Sequence, residues 1–264
     1  MSLYSSIAEK LQFVAPKFYK ERFFKSMKNL DANNILERNI EPELLWIKQY
    51  LHKSDIFFDI GVNVGAYLYR LENHLNHQNI FGFEPNKNLY FRLKRIFPDM
   101  RIFPLALSDE NTLAEFKVPV INGKKVSSRG TLMTGLKESG EIKSEIQKVK
   151  VIKLDDWAEI EEFTRIDFIK IDVEGNELKT LRGAKKTIKK FKPTLMVEIE
   201  QRHHTEPVWD IISEIEDWGF DANYLDRNSL TLRKLEHEFL EEQNSENVKN
   251  YKQYINNIIF VPRK

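Results

Sequence analysis

The residues that could do chemistry fall first in Asp55–Tyr69, which reads Asp-Ile-Phe-Phe-Asp-Ile-Gly-Val-Asn-Val-Gly-Ala-Tyr-Leu-Tyr, and in the acid that ends the next apolar run, Glu84. The first stretch is an apolar strand that runs into a small-residue turn and opens an amphipathic helix. At Gly61 and Gly65 the missing Cβ lets the backbone turn sharply and approach a ligand. Glu84 follows Gly61 by 23 residues, near the ~20-residue offset at which an acid at the tip of a second strand reaches a ribose hydroxyl pair. A nucleoside-bearing cofactor at the carboxyl ends of parallel strands is the expectation. The turn reads Gly61-x-Asn63-x-Gly65, so the middle glycine of a dinucleotide fingerprint is replaced and the third is absent. Asp59, just before the turn, would repel a pyrophosphate and suits a cation. S-adenosylmethionine carries an ammonium, a sulfonium and a ribose but no phosphate, and fits these residues better than NAD. A tight strand-to-helix turn in another α/β protein is the competing reading.

A second group of acids lies further along. Ile166–Val173 is almost wholly apolar except for charged residues, among them Lys170 and Asp172 alternating with Ile169 and Ile171. Charges in a buried strand are costly unless paired or functional. Asp172 falls at the carboxyl end, where doubly wound sheets place their chemistry, and Glu174 follows it. Glu198 sits inside the apolar run Leu195–Ile199, with His203 and His204 just beyond. A base that takes a proton from an acceptor hydroxyl is sought among Asp172, Glu174, Glu198, His203 and His204. No metal ligands are assigned. A divalent ion on Asp172, Glu198 and a histidine is the lesser reading, since carboxylate oxygens suit such ions. Ser108 and Asp109, at the tip of a third strand, are placed for adenine or for a simple turn. Ser128 and Arg129, in a donor-rich stretch with Lys170 as a further candidate, suit an oxygen-rich acceptor such as a sugar.

The elements that must position these residues alternate strand and helix. Strands are expected at 56–60, 80–83, 101–106, 166–173, 193–199, 220–225 and 255–262, with helices after Gly65, Asn86, Asn176 and Pro207. Residues 111–154 break the alternation with two β stretches, 114–118 and 149–154, around a polar segment. Residues 1–53 read as helical: Ile7, Leu11, Val14 and Phe18 recur at helical spacing, and Pro42 starts a helix carrying Leu44, Leu45 and Ile47. Residues 1–35 are aromatic and basic, a face for packing, for a partner or oligomer contact, or for a membrane surface. The charged segment 226–254 is expected to be a loop with a helix.

Composition narrows the function classes. Forty-one lysines and arginines against 40 acids give a net charge of +1, so no global field draws the chain to nucleic acid. There is no cysteine, which removes disulfides, thiolate nucleophiles and cysteine-bound metal and agrees with a cytoplasmic location. No apolar run approaches the ~20 residues of a membrane span.

Together these motifs resemble the FkbM-type methyltransferases. The matching pieces are Phe58–Tyr67, Phe83-Glu-Pro-Asn86, Ala106-Leu-Ser-Asp109, Val151–Asp156, Asp167–Glu177, Leu181-Arg-Gly-Ala184 and Val197-Glu-Ile199. The resemblance implies a Rossmann-like class I methyltransferase fold: a seven-stranded, mostly parallel sheet flanked by helices, with its last strand antiparallel beside the fifth. The resemblance covers about Ser54 to Asp226 and a final strand at Asn257–Pro262; with the pattern of the residues this divides the chain into a helical extension over 1–53 and a methyltransferase domain over 54–264, with a β insertion at about 111–154. It implies S-adenosylmethionine as cofactor and O-methylation of a sugar, glycan or related small molecule. Gly61, Asn63 and Gly65 would cradle its methionine part, Asp59 would lie near the ammonium, Glu84 would hold the ribose, and Ser108 and Asp109 would lie near adenine. Asp172 and Glu174 would face the methyl-transfer pocket. An NAD-dependent oxidoreductase or a non-catalytic binding module stays open as the alternative.

Overall fold

The computed structural model describes residues 3–35, 37–38, 40–204, 206–241 and 254–263. In chain order the strands are β1 (Phe57–Ile60), β2 (Ile80–Phe83), β3 (Arg101–Phe103), β4 (Leu105–Leu107), β5 (Thr112–Ile121), β6 (Lys124–Lys125), β7 (Glu141–Ile152), β8 (Phe168–Ile171), β9 (Thr194–Glu198), β10 (Phe220–Asp226), β11 (Thr231–Lys234) and β12 (Asn257–Pro262). Eight of them form the main sheet in the order β11-β10-β12-β9-β8-β1-β2-β3. Its five central and edge strands β3, β2, β1, β8 and β9 run parallel. β12 inserts antiparallel between β9 and β10. β1, β2 and β8 are short apolar runs buried along their whole length, as strands covered by helices on both faces must be.

Two departures from the sequence reading have local causes. The main sheet has eight strands rather than seven, because β11 folds back on β10 as an antiparallel hairpin within the expected loop. Thr231–Lys234 is polar and mostly exposed, so it lacks the apolar signature of a strand. The single third strand expected at 101–106 is two strands. Pro104, which has no N–H to give to a ladder, divides β3 from β4, and β4 leaves to pair with β7 in a second sheet of order β4-β7-β5-β6. β5 and β7 form a long antiparallel ribbon closed by a buried Lys117–Glu141 ion pair at 2.9 Å. The side chain of Ile7 and residues 242–253 of the charged segment lie outside the described residues.

The parallel register builds one row upon another. On one face of the sheet Phe57, Phe168 and Thr194 are neighbours, and the next row is Asp59, Lys170 and Met196. The helix Glu43–Tyr50 covers the apolar row: Trp46 and Tyr50 each lie 6.0 Å from the Phe168 ring, and the Tyr50 hydroxyl is 2.6 Å from Thr194 Oγ1. The opposite face centres on Trp157, whose ring meets Phe83 at 4.9 Å and Phe103 at 5.2 Å. Beside it Asp155 caps the helix Lys185–Phe191 by accepting the Lys186 and Thr187 N–H groups.

The helix Glu177–Gly183 ends where the chain after β4 crosses it. A Cβ on Gly183 would lie 1.9 Å from the Ser108 carbonyl oxygen, so the backbones must part to admit one. Gly183→Ala is expected to destabilise the protein by roughly 2 kcal/mol. Gly135→Ala, with nothing within 4 Å of the added carbon, should leave stability unchanged. Denaturant melts of the two variants check this.

Candidate active site

A cleft open to solvent lies at the carboxyl ends of β1, β2, β4 and β8. Its walls include Gly61, Asn63, Glu84, Leu105–Leu107, Asp172, Glu174 and Asn176, and the second sheet and its loop add Phe116, Ser127, Ser128 and Leu132. Gly61, at φ +84°, lets β1 pass under the chain leaving β8: a Cβ there would sit 1.7 Å from the Asp172 carbonyl oxygen. The turn is tied to the second strand. Gly61 N–H bonds to the Phe83 carbonyl at 3.0 Å. Glu84 accepts the Asn63 N–H on Oε2 at 2.7 Å and the Asn86 N–H on Oε1 at 2.8 Å. Burial pushes the Glu84 carboxyl up to about 7, and the two backbone donors oppose that rise. Each held oxygen keeps a lone pair. Asn63, at φ 54°, buries its Oδ1 without a hydrogen-bond donor among the described residues.

Beneath the turn lies a buried line of charge. Lys170 is 4 % exposed, and its ammonium sits 3.1 Å from Asp172 Oδ2 and 3.4 Å from Asp59 Oδ1. The Tyr67 ring covers it at 5.1 Å and donates its hydroxyl to Glu41 at 2.9 Å. Burial alone would lower the Lys170 pKa, yet the charges of Asp172, Asp59 and Glu41 outweigh it and push the pKa up. Burial raises Asp59 to about 6 against the pull of Lys170. One row above, Glu198 meets Asp172; burial and the Asp172 charge push its carboxyl well up. Asn256 donates to Glu198 Oε1 at 2.8 Å.

The loop after β8 is held from three sides. Glu174 and Gly175 both take positive φ, 53° and 97°. Glu177 Oε1 accepts the Val173 N–H at 3.3 Å and the Gly175 N–H at 2.9 Å, while its Oε2 lies 3.3 Å from His204 Nε2. Thr131, from the insertion, donates its hydroxyl to the Glu174 carbonyl at 2.7 Å. His203 Nε2 stands 3.6 Å from Glu174 Oε2. Glu138, Glu174 and His203 offer ligand atoms within 4.8 Å of one another, a different set from the Asp172, Glu198 and histidine group considered from sequence.

Of the sequence candidates, Gly61, Asn63, Glu84, Ser128, Asp172 and Glu174 share the cleft wall. Asp59 lies below it, fully buried. Gly65 is outside it: its φ of +91° starts the helix Ala66–Leu71, and its open side faces Leu93 and Phe97. Ser108 and Asp109 are also outside the wall, with the Ser108 hydroxyl turned to Asp109; the aliphatic edge Leu105–Leu107 lines the cleft there instead. Lys170 is a correction: a substrate contact was expected, but its ammonium is sealed between two carboxylates. Arg129 pairs with Glu138 at 2.7 Å and, with His203, lines a second, wider depression beside the first. His204 is engaged with Glu177. The loop-holding role of Glu177 was missed, because an acid in a first helical turn reads as a response to the helix dipole. The contribution of Phe116 and Leu132 carried no sequence signal, since it depends on how the second sheet folds over.

The strand order, the glycine turn and the acid at the second strand tip define a methyltransferase-like α/β protein. The domain family described as Methyltransferase FkbM matches residues 59–225, and the chain belongs to that family. It is similar to the 2-O-methyltransferase NoeI of Sinorhizobium fredii, 29 % identical over 156 residues that cover 54 % of this chain and 63 % of NoeI. It is also similar to the hexuronic acid methyltransferase AglP of Haloferax volcanii, 27 % identical over 169 residues, 61 % of this chain and 63 % of AglP. The chain thus spans 63 % of the length of each relative. Among solved structures, methyltransferase FkbM from Methylobacillus flagellatus KT superposes with a TM-score of 0.48 at 16 % identity, over 80 % of this chain and 44 % of that one.

Removing the Lys170 charge would leave two carboxylates facing each other in a buried site. Lys170→Met is expected to cost roughly 3 kcal/mol of stability, and adding Asp59→Asn should recover part of it. The deficit of the single variant should shrink as pH falls through the Asp59 titration, because a protonated Asp59 no longer needs a cation. Denaturant melts at pH 5 and pH 8 check both the cycle and its sign.

Proposed function

We propose that this chain is an S-adenosylmethionine-dependent O-methyltransferase acting on a sugar hydroxyl. The observation that carries it is the shared cleft: the turn and acid suited to a nucleoside cofactor, Gly61, Asn63 and Glu84, line the same space as Asp172 and Glu174. Fit to the cofactor is supported by one feature of the cleft: the orphaned Asn63 Oδ1 is an acceptor suited to an ammonium. Glu84 would hold the ribose hydroxyls with its free lone pairs, and Leu105–Leu107 with Phe116 would pack the adenine. When bound, the cofactor supplies an electrophilic methyl group on a sulfonium.

The chain's own residues do the rest. Asp172 takes the proton of the acceptor hydroxyl, with Lys170 beneath it holding its carboxylate in place. Protonated Glu198 donates to Asp172 and orients it. The loop Val173–Gly175, fixed by Glu177, sets the acid against the cofactor side, and such alignment is worth several kcal/mol of barrier. The acceptor would enter through the depression lined by Arg129, Lys137, Glu138, Glu200 and His203, whose mixed charge suits a polyhydroxylated or uronic acid ring. The sugar assignment is supported by the two relatives, named as a 2-O-methyltransferase and a hexuronic acid methyltransferase. Residues 54–264 would form the catalytic domain and 1–53 a helical extension to it.

Transfer of labelled methyl groups to a panel of hexoses, uronic acids, glycans and nucleotide sugars, with and without a chelator, tests this reading. Methylation of a sugar oxygen is the expected outcome; cofactor binding without transfer to any member would contradict it. Asp172→Asn should lower kcat by about 10²–10⁴-fold while calorimetry still shows cofactor binding. Glu84→Ala should instead weaken that binding at least ~10-fold.

A further inference from the structure

We propose that the corner formed by the helices Leu3–Val14, Pro16–Phe23 and Lys87–Ile96 docks on an anionic lipid surface. Charge is the first ground. The whole chain carries a net charge of only +1, but its basic residues are not spread evenly. Residues 9–28 hold six lysines and arginines against Glu9 and Glu21, and the helix Lys87–Ile96 holds four with no acid. Glu72, paired with Lys20, adds one neighbouring acid. Eight of these basic groups lie on the three helices and Lys25 and Lys28 follow just beyond Phe23, Lys28 paired with Glu21; ten against three acids leave the rest of the molecule net negative.

Exposure is the second ground. Phe13 is 65 % exposed, Val14 79 %, Phe18 61 % and Phe91 56 %. The first three fall at the bend between two helices, and Phe91 lies on the third. Two cations stack on rings of this corner: the Arg95 guanidinium on Phe13 at 4.3 Å, and Arg92 on the half-exposed Phe23 at 4.8 Å. Bulky apolar side chains at a helical bend, ringed by exposed lysines such as Lys10 and Lys17, match the composition of a face that sinks rings to the acyl boundary and keeps cations among headgroups. A polynucleotide would satisfy the charge but would leave Val14 and the ring edges in water. Inward packing does not account for them either, since Tyr19, and Phe24 and Met27 just beyond the second helix, already fill the core side.

Docking would also orient the active site. The helix Lys87–Ile96 begins three residues after Glu84, so the cleft would stand within about one helix length, ~15 Å, of the surface.

Sedimentation of the full chain with vesicles tests the proposal, comparing phosphatidylcholine alone with a mixture containing about one-third phosphatidylglycerol. The protein should partition onto the anionic vesicles only. Val14→Ser with Phe18→Ser should weaken partition at least ~10-fold, and so should Lys10→Glu with Lys17→Glu or a rise in salt. Ile160→Ser, at a 78 % exposed apolar site elsewhere, should partition as the unaltered chain. All three variants should keep their melting curves and their cofactor binding. No partition, equal partition onto neutral vesicles, or patch variants that partition unchanged would each overturn it. Retention on heparin without vesicle partition would assign the corner to another polyanion and overturn the lipid surface as partner.

Discussion

The buried ammonium of Lys170, held between Asp59 and Asp172, is the interaction on which the rest depends. An unpaired charge in the middle of a parallel sheet would be intolerable, and each of these three groups is acceptable only because of the other two. The register of β1 against β8 places Asp59 and Lys170 side by side, so pairing of the strands and pairing of the charges are one event. The consequence reaches upward. With its partner fixed below, Asp172 presents a positioned carboxylate in the wall of the cleft, with Glu198 beside it. An apolar replacement of the whole triad would be tolerated by the sheet, but it would remove the base proposed for the reaction.

Above that line the chain is organised by close approach. Gly61 allows β1 and the β8 loop to pass within touching distance, and Glu84 ties the turn to the second strand through two backbone N–H groups. The same acid is thereby both a structural tie and the proposed ribose ligand, and its raised pKa follows from its burial. The insertion adds the far wall. Thr131 grips the Glu174 carbonyl, so the second sheet is linked to the loop that carries the acids.

Much of this was legible in the sequence because local pattern and chemistry coincide. Short apolar runs that end in acids mark parallel strands whose tips do chemistry, and Gly61, Asn63, Glu84 and Asp172 were found that way. What escaped depends on non-local geometry. Lys170 reads as a charge in a buried strand that is either paired or functional; the partner that decides it, Asp59, lies 111 residues earlier. Ser108 and Asp109 sit at a strand tip in sequence, but Pro104 diverts that strand to another sheet, and Leu105–Leu107 turn to the cleft instead. β11 was invisible because an edge hairpin strand needs no apolar alternation. Glu177 was undervalued because a dipole argument sufficed locally, while its bonds to Val173 and Gly175 require the loop to be seen.

The most direct measurement of the central claim is a crystal structure with S-adenosylhomocysteine. The ribose hydroxyls are expected on the Glu84 carboxylate, the amino group at Asn63 Oδ1, the adenine along Leu105–Leu107, and the sulfur directed at the space above Asp172. A ligand seated with its ribose away from Glu84, or with its sulfur facing away from Asp172, would contradict the account.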